Sequence, residues 1–243
     1  MDKKITMVQP KISVVTVCYN AVNDIEKTIL SVINQTYPNI EYLIIDGGST
    51  DGTMDIVNKY KDKIDVIVSE PDKGIYDAMN KGIDRATGEW INFMNAGDYF
   101  YTDSVLDSIK FASISDNVNV IYGDIFLKNS NVVKKAENLR VISHMMPFCH
   151  QASFARLSLV HFDVSLKIAA DYELFYDMYY KEGKDTFEYV SEVISVFEEN
   201  NGISSKAIKE LQNETLAVMS KRKSLWYYYL LIKLYVVRYL KND

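Results

Sequence analysis

The chain has 243 residues, of which 48% are hydrophobic and 25% are charged, and this composition excludes a disordered, collagen-like or low-complexity protein. Its 27 basic and 33 acidic residues give a net charge of −6, which argues against a nucleic-acid-binding protein. The length suits one large domain, with or without a small appendage, and allows a sizeable buried core.

Strand and helix patterns alternate in the N-terminal half of the chain. Strands separated by helices of this length predict βαβ units, and therefore an α/β fold with a mostly parallel sheet and helices on both faces. The predicted strands are Lys11–Tyr19, Ile40–Asp46, Ile64–Ser69 and Trp90–Met94, and the predicted helices are Asn23–Asn34, Thr53–Lys61 and Ile75–Ala86.

The pattern is less regular after residue 100. A turn at Asn129-Ser130-Asn131 predicts a hairpin within Val118–Lys135, and the alternation over Phe187–Phe197 predicts one or two short strands. Helices are predicted at Asp103–Ser113, at Asp171–Glu182, and from a cap at Ser204 to about Lys223. No composition shift divides residues 1–220, so we expect them to form one domain.

The two cysteines, Cys18 and Cys149, are too few for a disulfide framework and predict reduced thiols in a cytosolic protein. Both are predicted to be packing residues rather than nucleophiles. The first residues lack the apolar segment of a signal peptide, and no stretch reaches the roughly 20 apolar residues of a membrane span.

Polar residues follow all four strands of the N-terminal half. In an open parallel sheet the ligand crevice lies outside the carboxyl ends of the strands, so four such endings favour a shared ligand site over four separate helix caps. The chain has neither a phosphate-binding G-x-x-x-x-G-K-[ST] loop nor a G-x-G-x-x-G turn after the first strand. Three features together favour a nucleotide sugar as the ligand of this crevice. They are carboxylates suited to a phosphate-bridging metal, the aromatic ring of Tyr19 and the cationic side chain of Lys73.

Four segments of the N-terminal half, and two later ones, match a known family in order and spacing. The chain resembles the inverting family 2 glycosyltransferases of the GT-A fold, in the branch that acts on bacterial surface polysaccharides. The segments are Val14–Asn20, Ser31–Glu41, Ile45–Thr53, Ser69–Gly82, His150–Phe154 and Ala169–Leu174. The resemblance implies a GT-A-type Rossmann-like fold, with residues 11–100 binding the donor and residues 101–204 the acceptor.

The resemblance also implies roles for individual residues. Asp171 would be the base that accepts the proton of the acceptor hydroxyl, and His150 and Gln151 would border the acceptor. Position alone allows a simpler interpretation of Asp171, as an acid that complements a helix dipole, and of His150, as a structural residue. The donor would be bound by Val17, Tyr19, Asp46, Gly47, Asp72, Lys73, Asp77, Asn95 and Ala96.

Two positions depart from the family pattern. Gly47 stands where many relatives have a second acid after the second strand, and the usual Asp-x-Asp-Asp metal motif is Asn95-Ala96-Gly97-Asp98 here. We therefore assign the Mn²⁺ or Mg²⁺ ligand to Asp98, with Asn95 supporting it.

The predicted function is inverting transfer of a sugar from a nucleotide sugar to a hydroxyl of a glycan, which the family suggests is lipid-linked. The resemblance alone favours a UDP sugar. One alternative is a sugar-phosphate nucleotidylyltransferase, although the chain lacks the basic Gly-rich loop usual in that class. Another is a non-catalytic nucleotide-sugar-binding protein, which the atypical metal motif keeps open.

Residues 221–243 carry a net charge of +5 and are predicted to form an amphipathic helical tail. Within residues 225–240, Leu225, Tyr228, Ile232, Val236 and Tyr239 share one face, roughly opposite the basic side chains. This pattern predicts a helix lying on an anionic membrane surface, and hence a cytoplasmic enzyme peripheral to the inner face of the membrane. The alternative is a helix packed on the enzyme's core or on a second subunit.

Overall fold

The computed structural model describes residues 9–198, 207–222 and 227–232. Within these residues, nine strands form one sheet in the order β3-β2-β1-β4-β8-β6-β9-β5, and β7 pairs with β6. Six strands run in one direction, whereas β5, β7 and β8 oppose them, which confirms the mostly parallel α/β sheet. The strands are β1 (Ile12–Cys18), β2 (Ile40–Asp46), β3 (Val66–Ser69), β4 (Trp90–Phe93), β5 (Tyr99–Phe100), β6 (Val120–Leu127), β7 (Val132–Lys134), β8 (Ser153–Arg156) and β9 (Phe187–Phe197).

The helices cover the two faces of the sheet. In the described residues before the tail, the α-helices are α1 (Ile25–Ile33), α2 (Thr53–Lys59), α3 (Ile75–Ile83), α4 (Val105–Ile109), α5 (Ala170–Glu182) and α6 (Ile208–Ser220). Successive side chains of a strand point to opposite faces, so β1 contributes to two apolar layers. Val15 packs in the layer that contains Met79 of α3, and Val14 packs in the layer that contains Ile29 of α1. This two-sided burial explains why β1 and β2 are almost continuously apolar.

Two predicted elements differ from the structure in their details. The helix predicted at Asp103–Ser113 ends at Ile109, because Lys110 adopts a left-handed conformation with φ of 53°, and a 3-10 turn follows at Phe111–Ser113. Phe187–Phe197 is one continuous strand, and its pairing with β6 shifts register around Asp124. The predicted cap Ser204 lies outside the described residues, and α6 begins at Ile208.

The tail is described only at residues 221–222 and 227–232, and the latter segment is helical. Tyr227 and Leu230 pack against the apolar layer that contains α5, whereas Tyr228 and Ile232 are exposed. Leu225, Val236 and Tyr239 of the predicted apolar face lie outside the described residues. Within the described part of the chain, no helix combines the length and apolar character needed to cross a membrane.

Candidate active site

A cavity of about 1420 Å³ lies beyond the carboxyl ends of the parallel strands. Tyr19 enters its wall from the end of β1, Asp72 from the loop after β3, and Asp98 from the loop after β4. His150 and Asp171 enter from the second half of the chain. Both parts of the chain, which the sequence predicts to bind the donor and the acceptor, therefore line one cavity.

Asp171 is the second residue of α5, and its side chain is 20% exposed. Its Oδ1 accepts hydrogen bonds from the Tyr172 amide (2.8 Å) and the Tyr76 hydroxyl (3.1 Å). Its Oδ2 lies 3.1 Å from Nδ1 of His150. Burial opposes ionisation of the carboxyl, but these hydrogen bonds and the adjacent imidazole outweigh it and hold the pKa of Asp171 below its usual range. The carboxylate is therefore ionised at neutral pH, as a general base must be.

His150 connects the two halves of the cavity. Its Nδ1 contacts Asp171, and its Nε2 lies 3.2 Å from Nδ2 of Asn95, in the loop that follows β4. The residue begins a 3-10 turn, His150–Ala152, and its carbonyl accepts a hydrogen bond of 2.8 Å from the Ser153 hydroxyl. Both ring nitrogens and the backbone of His150 are thus held in place.

Asp98 is held by Gln151, the next residue of the same turn. Nε2 of Gln151 donates a hydrogen bond of 2.7 Å to Oδ2 of Asp98. Burial raises the pKa of Asp98 to about 6, and the hydrogen bond from Gln151 offsets only part of this effect. Oε1 of Gln151 accepts a hydrogen bond from the Cys149 thiol, and burial together with the two nearby aspartates raises the pKa of that thiol to about 12. Asp98 therefore occupies a water-poor position in which a cation would favour its charged form.

The part of the cavity that is predicted to bind the donor begins at Tyr19, whose side chain is 65% exposed. Asp72 lies beside it, and its Oδ1 accepts a hydrogen bond of 2.9 Å from the Gly74 amide. A Cβ at Gly47 would overlap Oδ2 of Asp72. The carboxylate of Asp72 thus fills the space that a side chain at position 47 would need.

The cavity brings together nine of the residues that the sequence singles out. These are Val17, Tyr19, Asp72, Asn95, Ala96, Asp98, His150, Gln151 and Asp171. Asp46, Gly47, Lys73 and Asp77 are not on its wall. Asp46 is fully buried, and its carboxylate accepts hydrogen bonds from the hydroxyls of Ser49 and Ser69 and from two backbone amides. Asp77 is bonded to the Lys73 amide, and the Lys73 side chain is exposed.

Sequence reasoning does not identify Tyr76, which contacts Asp171 across 95 positions of the chain. Its hydroxyl also donates to the Ile168 carbonyl at 2.7 Å, so it ties the first turn of α3 to the segment that leads into α5. A tyrosine in the first turn of a helix carries no signal in a single sequence that predicts such a distant partner. Sequence reasoning also misses the apolar wall that Met145, Met146 and Phe148 supply, because no local pattern predicts that they line this cavity.

The site fits a divalent cation only if a bound ligand supplies part of the cation's coordination. In the described residues, no three His, Cys, Asp or Glu side chains gather closely enough to hold a metal ion. Asp98 nevertheless offers a buried carboxylate, and Oδ1 of Asn95, three residues earlier, is buried without a hydrogen-bond partner in the part of the chain that the structure describes. One or two oxygen ligands from the protein, completed by phosphate oxygens and water, suit Mg²⁺ at a nucleotide site.

A family model described as glycosyl transferase family 2 matches residues 13–177, more than half of the chain. The chain belongs to glycosyl transferase family 2. The matched range contains all nine cavity residues named above, from Val17 to Asp171. The expected family and enzyme class are thereby confirmed.

Two curated relatives show which glycosyltransferases this family 2 protein resembles. A PGL/p-HBAD biosynthesis glycosyltransferase of Mycobacterium bovis is 28% identical over 211 residues, covering 83% of this chain and 82% of the relative. WfaP of Escherichia coli, a UDP-Glc:alpha-D-GlcNAc-diphosphoundecaprenol beta-1,3-glucosyltransferase, is 34% identical over 123 residues, about half of each protein. Both place the chain among glycosyltransferases of bacterial glycoconjugate assembly.

Solved structures confirm the GT-A-type fold of the family 2 domain. S. aureus TarS 1–349 in complex with UDP-GlcNAc gives a TM-score of 0.69 at 19% identity, covering 90% of this chain and 69% of that one. The longer TarS chain is matched over only 39% of its length. A second neighbour is glucosyl-3-phosphoglycerate synthase of Mycobacterium tuberculosis in complex with Mn²⁺, UDP-Glc and phosphoglyceric acid. It gives a TM-score of 0.59 at 15% identity, covering 87% of this chain and 80% of that one.

Proposed function

We propose that the protein transfers a sugar, with inversion, from a UDP sugar to a hydroxyl group of a glycan in the assembly of a bacterial surface glycoconjugate. The observation that carries this proposal is the placement of an ionised Asp171 and a buried Asp98 on the wall of one cavity. An inverting transfer needs a base on the acceptor side and a means of stabilising charge on the leaving diphosphate. The two acids meet these separate needs.

In this mechanism, the acceptor oxygen attacks the anomeric carbon from the face opposite the leaving group. A bond forms between that oxygen and the anomeric carbon while the bond from the carbon to the phosphate oxygen breaks. The electron pair of the broken bond leaves with UDP, and Asp171 takes the acceptor proton. Asp171 suits this step because it is ionised and partly exposed to the cavity.

Asp98 would hold the divalent cation, with Asn95 beside it. The cation, when bound, neutralises charge that develops on the leaving diphosphate. The complex of the mycobacterial synthase with Mn²⁺ and UDP-Glc supports a divalent cation in a related fold. Asp98 itself contributes a carboxylate that burial has largely stripped of water, so its attraction to a cation is weakly screened.

The donor is proposed to bind with its base and ribose near Val17, Tyr19 and Asp72. Exposed Tyr19 offers an aromatic face for the base, and the complexes of the structural neighbours with UDP-GlcNAc and UDP-Glc support uracil as that base. Asp46 and Gly47 act through the backbone of the turn that carries them, since neither lines the cavity.

The acceptor is proposed to be lipid-linked. Much of the cavity wall contributed by residues 134–149, Ile168 and α6 is apolar, which suits an acceptor that presents apolar surface beside its hydroxyl. The diphosphoundecaprenol acceptor in the name of WfaP supports the same class. The larger apolar side chains of this wall include Met145, Met146, Phe148, Ile168, Leu211 and Leu216.

A lipid-linked acceptor would be met at the cytoplasmic membrane face, and the tail is proposed to bind that surface. Full-length protein should float with anionic liposomes at low salt and be released at high salt. Replacing exposed Tyr228 and Ile232 by Asp should abolish flotation, whereas the control Ile208→Asp, in an equally exposed position of α6, should not. Absence of flotation by the parent protein at low salt would contradict the membrane proposal.

The decisive test of the function is the identity of the product. A panel of nucleotide sugars with Mn²⁺ should show a specific donor by a raised midpoint of thermal unfolding. That donor and a lipid-linked or aryl-glycoside acceptor should then give UDP and a glycosylated product. Release of pyrophosphate from a sugar phosphate and a nucleoside triphosphate would instead indicate a nucleotidylyltransferase. Binding without turnover across a broad acceptor panel would indicate a non-catalytic binding protein.

A further inference from the structure

His150 has no free ring nitrogen in the site. Asp171 is an ionised carboxylate that can only accept hydrogen bonds, so the proton between the two residues must lie on Nδ1 of His150. The other nitrogen, Nε2, is occupied by the side-chain amide of Asn95 at 3.2 Å. His150 is therefore poorly placed to take a proton from an acceptor hydroxyl, although it touches the residue that we propose to do so.

The hydrogen bonds of Asp171 are divided unequally between its two oxygens. Oδ1 accepts from the Tyr172 amide and faces the Tyr76 hydroxyl, whose single proton is shared with the closer Ile168 carbonyl. Among the residues that the structure describes, Oδ2 accepts a hydrogen bond only from His150. His150 is thus the main side-chain donor to Asp171, and it leaves one lone pair of Oδ2 for the acceptor.

We propose that His150 is a positioning residue, which orients the carboxylate of Asp171 so that the free lone pair of Oδ2 receives the acceptor proton. This inference rests on the proposed role of Asp171 as the base. Three anchors hold the imidazole: its bond to Asn95, the 3-10 turn that carries it, and the bond from Ser153 to its carbonyl. A pre-oriented base avoids the cost of ordering its side chain during the reaction.

Two substitutions separate positioning from mere packing. His150→Phe keeps a planar ring but removes both hydrogen bonds, whereas His150→Asn keeps an amide donor close to the position of Nδ1. We expect His150→Phe to lower kcat by about 10–10²-fold, the scale of a misplaced catalytic group, with UDP affinity unchanged. His150→Asn should recover most of the loss. The control His161→Phe, at an exposed histidine, should leave kcat unchanged.

The pH profile gives an independent measurement. The imidazole and the Tyr76 hydroxyl face Asp171, and removal of the donor His150 should raise the pKa of that carboxyl. The acid limb of the pH profile of kcat should therefore move to higher pH in His150→Phe. In His150→Asn it should return towards its position in the parent protein. An unmoved limb, or equal loss of kcat in both variants, would overturn the positioning role.

Nitrogen NMR of the unaltered protein covers the case in which His150→Phe fails to fold. We expect a protonated Nδ1 on His150 at neutral pH, and an unprotonated Nδ1 would overturn the inference. Failure of the proposed function has a different signature, because Asp171→Asn would then retain parent activity. If Asp171→Asn loses activity but folded His150→Phe stays within about threefold of the parent kcat, a factor worth under 1 kcal/mol, only the role of His150 is wrong.

Discussion

Nε2 of Gln151 lies 2.7 Å from Oδ2 of Asp98, and the residue before Gln151 in the chain is the histidine that contacts Asp171. Two consecutive side chains of one 3-10 turn therefore hold the two acids on which the proposed mechanism depends. Asp98 comes from the part of the chain that is predicted to bind the donor, and Asp171 from the part that is predicted to bind the acceptor. The turn acts as a common support that fixes the position of each acid relative to the other.

The first prediction concerns this support of Asp98. Residues that orient a metal ligand typically contribute about 10–100-fold to metal affinity. Gln151→Met, which keeps the volume but removes the donor, should therefore weaken Mn²⁺ binding to the UDP complex by about 10-fold or more. Calorimetric titration of Mn²⁺ in the presence of UDP measures the change. Gln212→Met, on the cavity wall but exposed, is the matched control. Equal affinities in parent and Gln151→Met would remove Gln151 from this role.

The second prediction concerns the proposed base. Asp171→Asn should lower turnover by about 10²–10⁴-fold, the usual range for a positioned base, and should leave UDP affinity nearly intact. Transfer rate and UDP affinity are measured on the same preparation. Asp177→Asn, on the same helix and paired with Lys181, is expected to keep parent activity. A rate for Asp171→Asn within a few-fold of the parent would assign the base elsewhere.

The third prediction concerns Gly47. Because a Cβ there would overlap Oδ2 of Asp72, Gly47→Ala should displace that carboxylate from the donor side of the cavity. The displaced group is the end of a flexible side chain, so the unfolding midpoint should change little. UDP affinity should fall by about 10-fold, equivalent to about 1.4 kcal/mol. In a protein that already carries Asp72→Ala, adding Gly47→Ala should change UDP affinity much less. Undiminished UDP binding by Gly47→Ala would show that the placement of Asp72 is unimportant to the donor.

The fourth prediction separates a structural role of Asp46 from contact with the donor. Burial disfavours its charge, but bonds from Ser49 and Ser69 and from backbone amides hold the pKa of Asp46 below its usual range. The resulting stability is present above the pKa of the unfolded chain, and it is lost as pH falls through the lower pKa of the folded state. At pH 7, Asp46→Asn should lower the free energy of unfolding by about 1–3 kcal/mol.

Urea denaturation measures this effect, and the difference between parent and Asp46→Asn should shrink as the pH falls below about 4, the ordinary range of an aspartate. Exposed Asp55 of α2 provides the control Asp55→Asn, for which little change is expected. An undestabilised Asp46→Asn with weakened UDP binding would instead indicate direct contact of Asp46 with the donor.

Local patterns predicted much of the fold, since alternating strand and helix signals give strands β1 to β4 and their parallel pairing almost without error, whereas the order of these strands comes from the structure. The site was harder to predict, because a polar residue at a strand end can face either a ligand or its own turn. Asp46 and Asp72 look alike in sequence, yet the first is fully buried in its turn and the second lines the cavity. The contact of Tyr76 with Asp171 depends on the packing of α3 near the start of α5, which no local pattern specifies.

The thiol of Cys149 offers a way to observe the turn that it precedes. Its Sγ donates to Gln151, and its raised pKa keeps it protonated, so it should react slowly with alkylating reagents at neutral pH. Any opening that separates Cys149 from Gln151 and the two aspartates would restore thiolate character and speed the reaction. The alkylation rate of this natural cysteine should therefore report how often the turn opens, and a bound nucleotide sugar that closes the site should slow it.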